Sequence, residues 1–344
     1  MPTPLQRARR LEAALGSPPL YVKRDDLTGF AVAGNKARKL EFLIADALEL
    51  GADVVLTGGG PGSNHCHATA AAARVADLDC VLLYYGDAPD DEPPGLRFAR
   101  GFGPEVRFTG DPRRESVDDG LGVLADRLRA SGRRPYVIPR GGATALGAAA
   151  YAVAAEEFAA QLDELGVRPS MIVVANGSGG TQAGLVAGSV ATGARWRVVG
   201  ASVSRPVDEC RERVLRLARD AAKVYGWPAA EAGDVEVRDA RHPGYGVPSE
   251  AGDEAALLAA HREGLLLDPV FTAKAMAETF RLVSAGSRGG EAGGGRGAGG
   301  GSEGMEGIEG IDGPIVFWHT GGLLAALQAA LRSGAEQGGR HDQP

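Results

Sequence analysis

The chain is short of cysteine, of aromatic residues, of positive charge and of long apolar runs. Its three cysteines, Cys66, Cys80 and Cys210, are too few and too scattered for a disulfide framework. No apolar stretch approaches the roughly 20 residues that a membrane helix needs. Basic residues number 37 against 44 acidic ones, leaving a formal net charge of −7. That balance argues against nucleic acid or an anionic membrane surface as partner. Arg7, Arg9 and Arg10 precede no hydrophobic core, so no signal peptide is read there. A soluble cytoplasmic protein is expected. The 344 residues suit roughly two domains, and a hydrophobic content of 44% is enough for a real core.

Short β-branched runs alternate with helical patterns from residue 20 onward. Strands are predicted at 53–57, 80–85, 106–109, 136–139, 171–175, 197–202 and 315–318. Helices are predicted at about 36–50, 65–77, 115–131, 145–165, 181–192, 207–225, 249–263, 272–284 and 322–332. Such alternation implies βαβ units and a mostly parallel sheet. Ligands in such sheets gather where strand ends meet helix starts. Four loops rich in glycine or small polar residues stand at such junctions. They are residues 58–64, 140–143, 176–181 and 319–322.

One stretch breaks a local rule. Leu40, Leu43, Ile44, Ala47 and Leu48 follow Gly34-Asn35-Lys36 at helical spacing, which puts Lys36 in the first turn of an amphipathic helix. That turn is electropositive, yet Lys36, Arg38 and Lys39 all fall in it. Function commonly overrides propensity at such places. A lysine held against positive potential has a lowered pKa, and an unprotonated amine can form a Schiff base. A solvated basic face explains the same residues equally well.

Residues 171–175 read as a buried strand, followed by Asn176-Gly177-Ser178-Gly179-Gly180-Thr181 and a helix. Glycines there let backbone N–H groups turn inward at a helix start, which makes an anion cradle. Ser178 and Thr181 add hydroxyl donors. A tight packing turn explains one or two of these glycines, but less well the Ser-Gly-Gly-Thr run. No Gly-Lys-Ser/Thr follows, which excludes the P-loop. No acidic residue ends the next strand, which runs into Val203-Ser204-Arg205, so a dinucleotide fingerprint is not read. A single phosphate fits better. A Schiff-base lysine with a distant phosphate cradle suggests pyridoxal 5'-phosphate (PLP).

The chain resembles the D-cysteine desulfhydrase and 1-aminocyclopropane-1-carboxylate (ACC) deaminase family of PLP enzymes. The resemblance is carried by Val22-Lys23-Arg24-Asp25-Asp26-Leu27, Gly34-Asn35-Lys36, Ser63-Asn64-His65, Gly177-Ser178-Gly179-Gly180-Thr181, Gly244-Tyr245-Gly246-Val247-Pro248, Leu267-Asp268-Pro269-Val270 and His319-Thr320-Gly321-Gly322. These stand in family order over about residues 15–330. The resemblance implies an α/β chain of PLP fold type II. That fold has two open twisted, mostly parallel sheets flanked by helices, with the cofactor in the cleft between domains. It implies a large domain of residues 1–48 plus 142–344, a small domain of residues 49–141, and a homodimer.

The resemblance also implies roles. Lys36 would be the Schiff-base lysine and the base at Cα. Asn64 would bond the cofactor's O3′, and Ser178, Gly179, Gly180 and Thr181 would hold its phosphate. Thr320 would contact the pyridine nitrogen. Ser63 would sit over the substrate's Cα and carboxylate, although a helix N-cap explains it too. Tyr245, His65, Phe271 and Asn64 would also face the substrate, with Tyr245 and Ser63 joining Lys36 as catalytic residues. The activity implied is α,β-elimination from a small amino acid, with D-cysteine giving pyruvate, ammonia and sulfide. The alternatives are an ACC deaminase, an L-cysteate sulfo-lyase-like enzyme, or a PLP-binding protein without turnover. No metal is expected, because consecutive residues of a helix, such as His65-Cys66-His67, point about 100° apart.

Three departures from the family pattern stand out. Gly60-Pro61-Gly62 replaces the usual approach to the serine. Cys66 and His67 replace a commoner Arg-Gln. Phe271 replaces a tyrosine and removes a phenol. Two accounts fit: a slow or relaxed desulfhydrase in which Tyr245 or Ser63 handles the proton, or a substrate other than D-cysteine that sets an apolar group against the ring, the second preferred because a bare ring edge in a polar site wastes a contact. Residues 284–313 form a glycine-rich acidic tract, expected to be a dispensable flexible insertion.

Overall fold

The computed structural model describes residues 2–289 and 313–338. The described residues form ten strands: β1 Leu5–Arg7, β2 Leu20–Arg24, β3 Val54–Gly59, β4 Asp79–Tyr84, β5 Glu105–Phe108, β6 Pro135–Val137, β7 Met171–Asn176, β8 Val198–Ser202, β9 Glu236–Asp239 and β10 Ile315–His319. Helices are α1 Arg9–Leu15, α2 Asn35–Glu49, α3 Asn64–Val75, α4 Pro94–Arg100, α5 Ser116–Ala130, α6 Ala145–Leu165, α7 Gly180–Ala191, α8 Val207–Tyr225, α9 Glu250–Glu263, α10 Thr272–Gly289 and α11 Leu323–Gly338.

Two sheets result. The larger runs β1-β2-β10-β7-β8-β9, and the smaller β5-β4-β3-β6. Every pairing is parallel except β1 with β2. Side chains alternate across each strand, and both faces are covered. On β7, Ile172 and Val174 join a core with Phe158 of α6, Val186 of α7 and Leu217 of α8. Met171, Val173 and Ala175 join the opposite core, with Ala259 of α9 and Met276 of α10. On β3, Val55 packs toward α2 and α3, while Val54 and Leu56 pack toward Leu121 and Leu124 of α5.

The predicted stripe of α2 is buried at Leu40, Leu43, Ile44 and Ala47, all against the smaller sheet's core. Leu48 departs from it and is 49% exposed. Sequence periodicity missed β1, β2, β9, α1 and α4. All are short. β2 also carries Lys23 and Arg24, and charge there reads as loop. The strand is real because its charges are matched. Lys23 is fully buried, donates to the Thr3 carbonyl at 2.7 Å and to Gln161 Oε1 at 2.7 Å, and pairs with Glu157. The glycine-rich tract at 284–313 lies mostly outside the described residues, and its first residues continue α10.

Candidate active site

Parallel strands deliver their carboxyl ends, and the loops after them, to one cleft between the two sheets. A cavity of about 450 Å³ opens there. Its lining includes Lys36, Ser63, Asn64 and His65 on one side, and Ser178, Gly179 and Thr181 on another. Tyr245, Phe271 and Thr320 complete it. Gly180, the first residue of α7, is buried.

The lysine loop is built by close backbone approach. Gly34 takes φ +56°, and a Cβ there would stand 2.3 Å from the Thr320 carbonyl oxygen. Only glycine permits that contact. It lets the Asn35 N–H donate to the Thr320 carbonyl at 2.9 Å, so the two loops are locked together. Lys36 Nζ then donates to Asn35 Oδ1 at 2.9 Å, and Asn35 Nδ2 donates to Thr181 Oγ1 at 3.0 Å. The lysine and the Ser-Gly-Gly-Thr loop are thus joined through one side-chain amide. Burial lowers the Lys36 pKa to about 8, with the Asp268 carboxylate opposing the shift. At neutral pH a useful fraction of this amine is unprotonated.

The three cations of that helix turn separate in the fold. Lys36 faces the cavity. Arg38 turns away and pairs with Asp25 at 2.9 Å and Glu157 at 2.8 Å. Lys39 is fully buried, donates to the Gly141 carbonyl at 3.4 Å, and has Nζ 2.9 Å from where a Gly180 Cβ would stand. Burial, then Lys36 and Arg213, push its pKa well down. The solvated-face reading therefore fails for all three.

Ser63 is the N-cap of α3 and accepts the Cys66 N–H at 3.3 Å, so its capping role is real alongside its place in the cavity wall. His65 is 3% exposed, and both its ring nitrogens are without a hydrogen-bond partner. Burial first, then Lys36 and Lys39, push its pKa well below the usual value, so the ring is neutral. His67 points elsewhere, with its ring edge-on to Phe98 at 5.3 Å.

Phe271 presses Cε1 to 2.8 Å from where a Gly177 Cβ would stand, and lies T-shaped to Tyr245 at 6.2 Å. Thr272 is buried and gives its hydroxyl to Asp268 Oδ2 at 2.7 Å. Asp268 also accepts the N–H groups of Val270, Phe271 and Thr272, which caps α10. Lys274, one turn on, donates to the Gly244 carbonyl at 2.9 Å and steadies the loop bearing Tyr245.

Sequence reasoning named Lys39 but gave it no role. It likewise gave no role to Asp268, Arg140 and Arg205, and passed over Lys274, Arg114 and Arg213; all but Lys274 line the cavity. The Arg140-Gly141-Gly142 loop, and Arg205 after β8, were the available signals.

Comparison with known proteins shows the family. The chain belongs to the pyridoxal-phosphate dependent enzyme family, whose profile matches residues 1–292. Among its relatives is a D-cysteine desulfhydrase of Salmonella typhimurium, 41% identical over 330 residues, 93% of this chain and 92% of that protein. The D-cysteine desulfhydrase of Salmonella newport matches to the same extent. A solved ACC deaminase homologue superposes with a TM-score of 0.83 at 33% identity, covering 97% of this chain and 94% of its own. The fold is the type II PLP fold, and the protein is a PLP-dependent enzyme.

The residues present fit that cofactor. The Gly179-Gly180 turn opens α7 beside the Lys39 amine nitrogen, and a helix start of this kind suits an anion. The unpartnered nitrogens of His65 and the unpartnered Asn176 Oδ1 are buried polar atoms of the kind a polar ligand satisfies.

Proposed function

We propose that the protein catalyses α,β-elimination from a small β-substituted amino acid, with D-cysteine the lead substrate by similarity to the desulfhydrases. The observation that carries this is the Lys36–Asn35–Thr181 chain, which ties a low-pKa amine to the loop that would hold a phosphate. PLP, when bound, supplies the electron sink for charge at Cα. Lys39 and the N–H groups of Ser178, Gly179, Gly180 and Thr181 hold its phosphate. Asn64 bonds its O3′, and Thr320 meets its ring nitrogen. Lys36 takes the proton from Cα. Ser63 and the first N–H groups of α3 orient the substrate carboxylate, whose charge suits a helix N-terminus. Tyr245 and Phe271 cover the outer side, and His65 faces the substrate from α3.

A threonine at the ring nitrogen cannot hold it protonated as a carboxylate would. Expulsion of a good β-leaving group tolerates that weaker sink better than opening of the ACC ring. Thr272 supplies no acid either, since its hydroxyl is spent on Asp268. Purified enzyme given D-cysteine should release sulfide and pyruvate in equal amounts. Ketobutyrate from ACC as the main product would overturn this reading, and colour without turnover would favour a PLP-holding protein.

Two domains, residues 1–48 plus 142–344 and residues 49–141, close on the cleft in this proposal. The α2 helix lies at their junction, packing on the smaller sheet's core and on α6. A cytoplasmic homodimer completes the proposal. No helix among the described residues is long and apolar enough to cross a membrane.

A further inference from the structure

We propose that His67 is a positioning residue for Lys36, which holds a strained turn whose last residue seats the lysine. The proposal rests on the assignment of Lys36 as the lysine that takes the cofactor.

Residues 30–33 form a tight turn just before α2. The Ala33 N–H donates to the Phe30 carbonyl at 2.8 Å. The two central residues, Ala31 and Val32, take φ +46° and +47°. Two successive left-handed residues are the mark of a type I′ turn, which asparagine and glycine ordinarily supply. Here an alanine and a β-branched valine stand there, and each Cβ crowds a backbone carbonyl. Such strain persists only where the surroundings over-determine the backbone.

The turn leads straight into the lysine. Ala33 is buried in the smaller sheet's core, and its carbonyl accepts the Lys36 N–H at 3.1 Å. The Gly34 carbonyl accepts Thr28 Oγ1 at 3.3 Å and the Ala37 N–H at 3.1 Å. The Asn35 N–H is spent on the Thr320 carbonyl. A turn relaxed to negative φ would reverse the local twist of the chain and carry Ala33 and Gly34 out of these contacts. Lys36 would move with them.

His67 of α3 faces that turn. It is fully buried, and the acceptors its ring meets are the carbonyls of Val32 and Ala31. Neither ring nitrogen reaches full hydrogen-bond geometry with any described residue. Phe98 of α4 packs edge-on to the ring at 5.3 Å and is itself met edge-on by Phe102 at 5.2 Å. Burial first lowers the pKa of the ring to about 4, with the two carbonyls opposing and Lys36 adding to the fall. At neutral pH the ring is therefore uncharged and offers one N–H. Moving the turn away would leave a buried donor without an acceptor, which opposes relaxation. His67 is one of the departures from the family pattern, and the turn gives that departure a role.

The test follows Lys36 through its pH profile. Cofactor-free protein captures PLP at a series of pH values, borohydride fixes the cofactor, and peptide mapping locates it. His67→Leu keeps an apolar side chain of similar size but loses the donor. Because His67 is neutral, its removal takes no charge from the site. Asp268, Lys39 and His65, the other ionisable groups coupled to Lys36, stay in place. A lysine released from its buried seat returns toward the ordinary value, so the capture profile should move up by about one unit or more, or roughly tenfold slower capture at pH 7. His67→Gln keeps an N–H donor and should restore most of the unsubstituted profile. Ala31→Asn with Val32→Gly removes the strain, and His67→Leu in that background should shift the profile less than about a third as far. Equal shifts in the two backgrounds overturn the proposal. So does a His67→Leu protein that loses thermal stability while its profile stays in place, since His67 is then a packing residue. Should His67→Leu fail to fold, the unstrained turn should restore folding, and failure there too overturns the proposal. Cofactor fixed to a residue other than Lys36 in the unsubstituted protein overturns the assignment of the lysine and this proposal with it. Fixation on Lys36 with a profile that His67→Leu does not move overturns the proposal alone.

Discussion

Lys39 holds its ammonium nitrogen 2.9 Å from the point that a Cβ on Gly180 would occupy. Burial disfavours the charged form of an amine that nothing negative faces. Its pKa is pushed well down by burial, Lys36 and Arg213. A bound phosphate would restore the charge. PLP binding should therefore take up a proton near neutral pH, read by calorimetry in two buffers of different ionisation heat. Lys39→Met should abolish the uptake and weaken PLP binding about tenfold or more. Unchanged uptake in the variant would show that the proton goes elsewhere.

Lys36 sets a pH dependence. Its pKa in the folded chain is lowered to about 8, below the ordinary lysine value of 10.5. Only the free amine attacks a carbonyl. Capture of PLP by cofactor-free protein should rise with pH and level off above about 8. The unfolded chain binds more protons between the folded and unfolded pKa values, so stability of the cofactor-free protein rises with pH across that window. Lys36→Ala should flatten the capture profile, and borohydride should no longer fix cofactor to the chain. A profile unchanged in that variant would exclude Lys36 as the titrating group.

Asp25 anchors the far side of the lysine helix. It is fully buried and accepts from Thr3 Oγ1 at 2.8 Å, Arg38 Nη2 at 2.9 Å, Tyr151 OH at 2.5 Å and Trp318 Nε1 at 2.8 Å. Asp25→Ala leaves four donors, one of them charged, without their acceptor. The cost should be about 3 kcal/mol or more, read by denaturant titration of the holoenzyme. A loss under about 1 kcal/mol would mean that Glu157 or water replaces the carboxylate.

Phe271 tests what the missing phenol does. Its ring is wedged between Gly177 and Tyr245 at the cavity wall. Phe271→Tyr should change turnover of D-cysteine by less than about threefold, because the ring's place is set by packing. A rise of roughly tenfold, or about 1.4 kcal/mol of barrier, would show that a hydroxyl there assists the reaction. Identical behaviour on every substrate would show that the ring does not meet the substrate.

Much of the fold was legible because its signals are local. The β7 run from Met171 to Ala175 is apolar on both faces, and the α2 stripe has helical period, so each announces itself in a short window. β2 was not legible. Lys23 belongs in a strand only because Glu157 and Gln161, more than 130 residues away, come to meet it. Leu48 likewise continues the period of α2 but finds no core at its height.

The sequence by itself determined the alternation of strands and helices, the glycine loops at their junctions and the misplaced lysines in one helix turn. Those are matters of backbone sterics, periodicity and dipole, which neighbouring residues decide. Only the tertiary structure decided which lysine faces the cavity. Lys36, Arg38 and Lys39 share one turn of helix and one electropositive end. Arg38 is claimed by Asp25 and Glu157, Lys39 is enclosed beside Gly180, and Lys36 is held toward the cleft by Asn35. The same holds for Arg114, Arg140 and Arg205, which lie in separate segments and line one cavity. Electrostatic and hydrogen-bond partners act over a few ångströms in space, and distance along the chain carries no record of them.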